Sequence, residues 1–320
     1  MKRRTLLTGV LAAPAFAPGI GLAQSFPNKP ITLLVPFPAG GSTDQQMRAL
    51  ARVASDVFGQ QVITENRPGA GATLSAAAML RVQPDGYTLA QVPLPALRLP
   101  FMQRMPFNPR TDFTPIIHLT GYLFMMCVRA ESPFRTWADL LAECRRRPGE
   151  VRWGNTGANG TPHLTLVEIA QRENIDVVHV PFRGEADSTP NILGGHIEAA
   201  ATGSGPLQLI SEGRFRALNV WPRQRSSKLP DVPTLIELGY RDMAVTSPYG
   251  LVGPRGMNPD IVRRLHDGFR QALHHPDHLA LLERLDMPLE YLNTEDYAAF
   301  MARTIDEEEA RVTRLGLRSG

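Results

Sequence analysis

Cysteine is scarce in this chain: 320 residues hold two, Cys127 and Cys144. A disulfide framework is therefore excluded as the source of its stability. An oxidising compartment would permit one bridge, but the apolar run LFMMCV around Cys127 fits a buried thiol better. Past the first two dozen residues no stretch is long and apolar enough to cross a membrane, so the exported chain is not expected to be membrane-embedded. The GxxxxGKS/T phosphate loop, the GxGxxG dinucleotide fingerprint and the GxSxG nucleophile elbow are all missing. No cofactor is expected, and an α/β-hydrolase triad lacks its anchor. Low-complexity tracts and fixed-period repeats are also absent.

An excess of one charge is missing too. The chain carries 34 basic and 31 acidic residues, and Lys2, Arg3 and Arg4 fall in the first 23 positions, which hold no acid. Without that segment the balance is 31 against 31. The basic character belongs to the leader, and nucleic acid is not an expected partner.

What is present begins with that leader. MKRRTLLTGVLAAPAFAPGIGLA has a basic start, an apolar middle broken by Pro14, Pro18 and Gly19, and a small-residue ending, the pattern of a bacterial secretion signal. Cleavage is expected after Ala23, by a general or twin-arginine route, which would place the mature protein in the periplasm. About 300 residues then remain, more than one core usually holds, so two domains are expected.

Apolar β-type runs alternate with amphipathic segments along that length. They fall at 31–37, 62–65, 87–92, 123–128, 151–153, 177–182, 197–202, 215–220 and 249–253. A helix is expected over 43–58, where Met47, Leu50, Val53, Ala54 and Val57 recur at three- and four-residue spacing before Gly59. Another is expected to start at Asn258-Pro259-Asp260, and the chain reads as almost wholly helical from there on. The alternation predicts an α/β fold with largely parallel sheets.

Three of the runs end in glycine-bearing turns that open helices: PFPAGGSTD (36–44), NRPGAGATL (66–74) and WGNTGANGTPHL (153–164). Helix N-termini gathered at one opening are where open α/β sheets bind ligands. In the first turn Gly40 and Gly41 allow positive φ and close backbone approach. Ser42 or Thr43 would cap the helix, each with a glutamine three residues on, and Asp44 would hold the turn by accepting backbone hydrogen bonds. Such a helix end grips a carboxylate without any lysine or arginine, though a capped turn without a ligand has the same spelling. The turn at 153–164 offers Thr156, Asn159 and Thr161 as donors. His163 could meet a ligand carboxylate or simply knit the turn. The cluster HHPDH (274–278) straddles Pro276 and suits a helix end better than a metal site, so no metal is expected.

Together these landmarks resemble the solute receptors of tripartite tricarboxylate transporters, often called Bug receptors. The resemblance runs through FPNKPITLLVPFPAGGSTD (26–44), VITENRPGAGATLSA (62–76), PDGYTL (84–89), GTPHL (160–164), VPFRG (180–184), LGGHIEAA (193–200), LPDVPTLIELGY (229–240) and YGLVGP (249–254), and covers essentially the whole mature chain. It implies a two-lobed periplasmic binding protein, type II-like, with a mainly parallel sheet flanked by helices in each lobe. Lobe one would comprise 24–122 with 248–320 and lobe two 123–247, with crossings near 121–128 and 243–249.

The resemblance further implies a monomeric, non-enzymatic protein that closes on a small carboxylate (a mono-, di- or tricarboxylate, or an amino acid) and delivers it to a two-subunit membrane permease. A receptor signalling to a sensor kinase is the alternative, and a periplasmic enzyme a remote one. The family's carboxylate-holding loops fall on Phe37, Ala39, Gly40, Gly41, Ser42 and Asp44, and on Thr156, Asn159, Gly160, Thr161 and His163. Arg183, Glu185 and Thr202 would reach the ligand's far end. Three departures stand out. Asn159-Gly160 replaces the family's glycine and hydroxyl. Glu185 stands where a small or apolar residue is common, and would repel a second ligand anion or attract an amine. Thr202 stands where an aspartate is common.

Overall fold

The computed structural model describes residues 26–243 and 245–318. The expected leader, 1–23, lies outside the described residues. Eleven strands form two sheets among them: β1 (Ile31–Val35), β2 (Val62–Asn66), β3 (Thr88–Val92), β4 (Phe113–Thr120), β5 (Met125–Arg129), β6 (Arg152–Asn155), β7 (Val178–Pro181), β8 (Ala199–Thr202), β9 (Phe215–Val220), β10 (Tyr249–Pro254) and β11 (Leu289–Leu292). The six-stranded sheet runs β11-β4-β10-β3-β1-β2 and the five-stranded sheet β7-β6-β8-β5-β9. Helices flank both, giving the α/β architecture that the alternation predicts, divided between two sheets.

The sheets are mixed rather than largely parallel. Pairing is parallel where a helix carries the chain back, at β1–β2, β1–β3, β6–β7 and β6–β8. It turns antiparallel around the strands that enter from the other sheet: β10 against β3 and β4, β5 against β8 and β9. Strand β4 is also one that the apolar runs did not reveal. It contains Pro115, which cannot donate to a ladder, and the chain accommodates it opposite Val252 beside a register shift. Short β11 interrupts the helical C-terminal region at the edge of the same sheet.

The apolar stripe of the first turn's helix becomes Ser42–Phe58, with Met47, Leu50, Val53, Ala54 and Phe58 buried and Gly59 closing it in the left-handed conformation. Its N-cap is Gly41 without a side-chain cap, so the expected capping box at Ser42 or Thr43 does not form. The helix Pro259–Leu273 starts as its sequence predicts, with the Asn258 side chain accepting from the Asp260 N–H at 2.8 Å. The last long helix, Thr294–Arg314, buries Tyr297, Met301 and Ile305 in a cluster with Leu34 of β1 and Val92 of β3.

The chain passes between the sheets at 121–124 and again at 221–248. The two connections touch: Thr246 Oγ1 accepts from the Tyr122 N–H at 3.2 Å, and Tyr122 stacks on Phe124 and packs against Tyr249 at 5.0 Å. Residues 222–243 stay with the five-stranded sheet, where Trp137 donates to the Tyr240 hydroxyl at 3.1 Å. Cys127 and Cys144 are both buried and free.

Candidate functional site

Strand β1 ends in a turn whose two glycines do different work. Gly40 adopts φ +90, and its N–H donates to the Asp44 carboxylate at 2.9 Å. Asp44 also accepts from Arg48 Nε at 2.9 Å and Asn66 Nδ2 at 2.8 Å. Burial alone would raise its pKa. The hydrogen bonds from Arg48, Gly40 and Asn66 more than reverse that and hold it below the ordinary carboxylate range. Asp44 therefore stays charged and locks the turn, aiming the helix Ser42–Phe58 at the space between the sheets.

The turn after β6 is built by analogous means. Asn155 Oδ1 accepts from the Gly157 N–H, and Asn159 sits at φ +58, a left-handed conformation that asparagine tolerates. The Asn159 N–H donates to His163 Nδ1 at 3.0 Å. Burial first, and the neighbouring His179 second, push the His163 pKa down to about 4. The imidazole is thus neutral at ordinary pH and knits the turn. The helix Thr161–Glu173 opens here from an N-cap at Gly160.

Both helix ends open on one cavity of about 40 Å³ between the sheets. Gly41, Ser42 and Thr43 reach it from one side, Thr156, Gly160 and Thr161 from the other. The glycine-bearing turn at 66–74 joins them through Ala72, and a Cβ at Gly71 would stand 3.1 Å from the Ala158 carbonyl across the gap. The rest of the wall is mainly apolar: Phe37, Pro38, Pro93, Pro95, Tyr122, Phe124 and Pro162. No lysine, arginine or histidine lines it among the described residues. Burial, and to a smaller degree the charge of Glu185, raise the Tyr122 phenol well above its usual value, so it remains a neutral hydroxyl.

Of the residues singled out from the sequence, Phe37, Gly41, Ser42, Thr156, Gly160, Thr161 and Glu185 line this cavity. Ala39 and Gly40 are exposed on the turn behind it, and Asp44, Asn159 and His163 serve the turns rather than the wall. Arg183 is exposed and pairs with Asp187 at 2.8 Å. Thr202 is fully buried at the end of β8 opposite Met125, and its successor Gly203 is the residue that reaches the cavity.

Tyr122, Phe124 and Ser247 went unnoticed because they lie on the connections between sheets, where neither periodicity nor turn chemistry marks them. The aromatic spacing of YLF (122–124) beside an apolar strand was the available signal.

Comparison with known proteins places this arrangement. The family model described as "Tripartite tricarboxylate transporter family receptor" matches residues 46–317. The chain belongs to that family. A Cupriavidus necator relative, "UPF0065 protein in gbd 5'region", is 41% identical over 98% of this chain and 94% of its own length. "Protein BugT" of Bordetella pertussis is 32% identical over 85% of each. An R. palustris protein solved with adipate superposes with a TM-score of 0.82 at 26% identity, covering 90% of this chain and 96% of its own. The receptor family accounts for the two-sheet layout, and no described helix of this member is long and apolar enough to cross a membrane.

Proposed function

We propose that this receptor captures a small carboxylate in the cavity between its sheets and presents it to a two-subunit membrane permease, without chemistry on the ligand. The observation that carries this reading is the convergence of two helix N-termini, at Gly41–Ser42 and Gly160–Thr161, on one cavity with no basic side chain in its wall. Each helix start leaves N–H groups without intrahelical partners and carries about half a positive charge. An anion held this way is released more readily than one paired with a buried guanidinium, which suits a protein that must hand its cargo on. The adipate held by the R. palustris relative is a guest of the same chemical class.

On this reading the units that close are 24–122 with 248–320 against 123–247, the working form is a monomer, and export ends with cleavage after Ala23. Ligand binding shifts the population toward the closed arrangement that membrane partners recognise.

A thermal-shift screen of the mature protein tests it. At a ligand concentration of about 100 times Kd, a binder adds about 2.7 kcal/mol to the stability of the native state. Small carboxylates should raise the melting temperature and the matching amides should not. Indifference to every carboxylate would remove the proposal. Native mass spectrometry of the freshly purified protein would identify the guest directly.

A further inference from the structure

The anion seat at the head of the helix Ser42–Phe58 is taken by the protein itself. Glu185, first residue of the helix Glu185–Leu193, sends its carboxylate across the gap. Its Oε1 accepts from the Ser42 N–H, and its Oε2 from the Gly205 N–H at 3.3 Å. Three glycines make room for it. A Cβ at Gly41 would stand 3.1 Å from Glu185 Cγ and Oε1, one at Gly203 2.7 Å from Oε2, and one at Gly205 2.9 Å from Oε1. None of the three adopts a left-handed φ, so their common property is the space they leave for this carboxylate.

What surrounds Glu185 is poor in cations and rich in rings. The cavity wall contains no basic side chain, while Phe37, Tyr122 and Phe124 face the same space. A half-buried carboxylate beside aromatic faces is a setting that attracts a cation. The opposite helix end receives no carboxylate of the protein among the described residues. The Gly160 N–H donates to the Gly157 carbonyl at 3.0 Å and Pro162 has no N–H, so the open donors there centre on Thr161. Thr161 opens the 13-residue helix Thr161–Glu173, lines the cavity and is 2% exposed, and its hydroxyl has no hydrogen-bond partner among the described residues. Buried hydroxyls are ordinarily bonded, and a guest carboxylate would complete this one.

We propose that the guest is a zwitterion, with its carboxylate seated at Gly160–Thr161 and a protonated amine at its other end facing Glu185. The proposal rests on the carboxylate reading above and narrows it. A dicarboxylate would set its second charge against that of Glu185, and like charges at close quarters are strongly disfavoured.

Calorimetric titration of the mature protein decides the matter. Three sets matched in chain length serve as probes: β-alanine, malonate and propanoate; 4-aminobutanoate, succinate and butanoate; 6-aminohexanoate, adipate and hexanoate. In at least one set the amino acid should bind the native protein about tenfold or more tighter than the dicarboxylate. Glu185→Gln keeps the shape and one acceptor, and should erase that preference or reverse it. Thr161→Val should weaken all carboxylates together. A native protein that prefers the dicarboxylate in every set overturns the zwitterion proposal alone, as does a preference that survives Glu185→Gln. Should the Gln variant fold poorly, the native ranking decides by itself. If none of the nine compounds binds the native protein or the variant, the carboxylate reading falls with it.

Discussion

Gly40 and Gly41 sit side by side and are glycine for unrelated reasons. At Gly40 the requirement is conformational: φ is +90, and a Cβ there would meet nothing within 4 Å. At Gly41 the backbone is ordinary, with φ −73, and the requirement is the approach of Glu185. Substitutions at the two sites should therefore fail differently. Gly40→Ala strains the turn and should cost about 1–2 kcal/mol of stability, read as a lower denaturation midpoint. Gly41→Val puts branched carbon where the Glu185 side chain and the head of the cavity meet. It should weaken carboxylate binding by more than about tenfold while the unfolding midpoint moves little, because the crowded atoms belong to a side chain and not to the core. Binding that survives Gly41→Val intact would show that the site lies elsewhere.

Helices and turns show where sequence is legible and where it is not. The runs that became β1, β3, β5 and β10 are continuous and apolar because both faces of those strands are covered, and such runs stand out in a sequence. The glycine-bearing turns were equally visible, since only a few residues adopt their φ values. Strand β4 was hidden by Pro115, whose tolerance depends on a register shift that only the partner strand reveals. Glu185 was noticed, but its reach across to Ser42 was not, because a contact 143 residues apart in sequence leaves no local mark.

The turn before the helix Thr161–Glu173 offers a test at the same scale. His163 is held neutral, with its pKa lowered from 6.5 to about 4. The unfolded chain thus binds a proton that the folded one refuses, so this contribution to stability is complete above the unfolded value and is lost as pH falls toward the folded one. With partial exposure allowed for, the loss between pH 7 and pH 5 should be on the order of 1 kcal/mol. Denaturation curves at the two pH values should show His163→Gln, which keeps an acceptor for the Asn159 N–H, losing less than the native protein. Equal losses would mean that His163 does not titrate in this window.

At the scale of the whole molecule, the proposed closure has a charge component beside the cavity. Behind the ligand site the buried Arg98 pairs with Glu308 of the last long helix and reaches the Asn159 carbonyl at 3.4 Å across the gap. Arg311 of the same helix pairs with Glu168 of the helix Thr161–Glu173 at 2.8 Å, and Arg172 ties Glu168 and Asp242 together at 2.9 and 2.6 Å. The Arg311–Glu168 and Arg98–Asn159 contacts join elements of the two sheets, as do the Ser42 N–H to Glu185 on the cavity side and Ser226 to Asp286, so these are among the contacts that the proposed opening breaks. On the proposed closure Glu168 keeps Arg172, four residues along its own helix, in the open form and gains the largely buried Arg311 on closing, and removing one partner of such a pair leaves the other charge uncompensated. Glu168→Gln should consequently destabilise the closed arrangement more than either half. The expected result is ligand affinity weaker by about five- to thirtyfold, the equivalent of about 1–2 kcal/mol, with a melting temperature without ligand close to native. Small-angle scattering at saturating ligand should give the native radius of gyration, and at sub-saturating ligand a larger one. A variant that binds as tightly as the native protein but melts earlier would show that the pair supports the fold and takes no part in closing it.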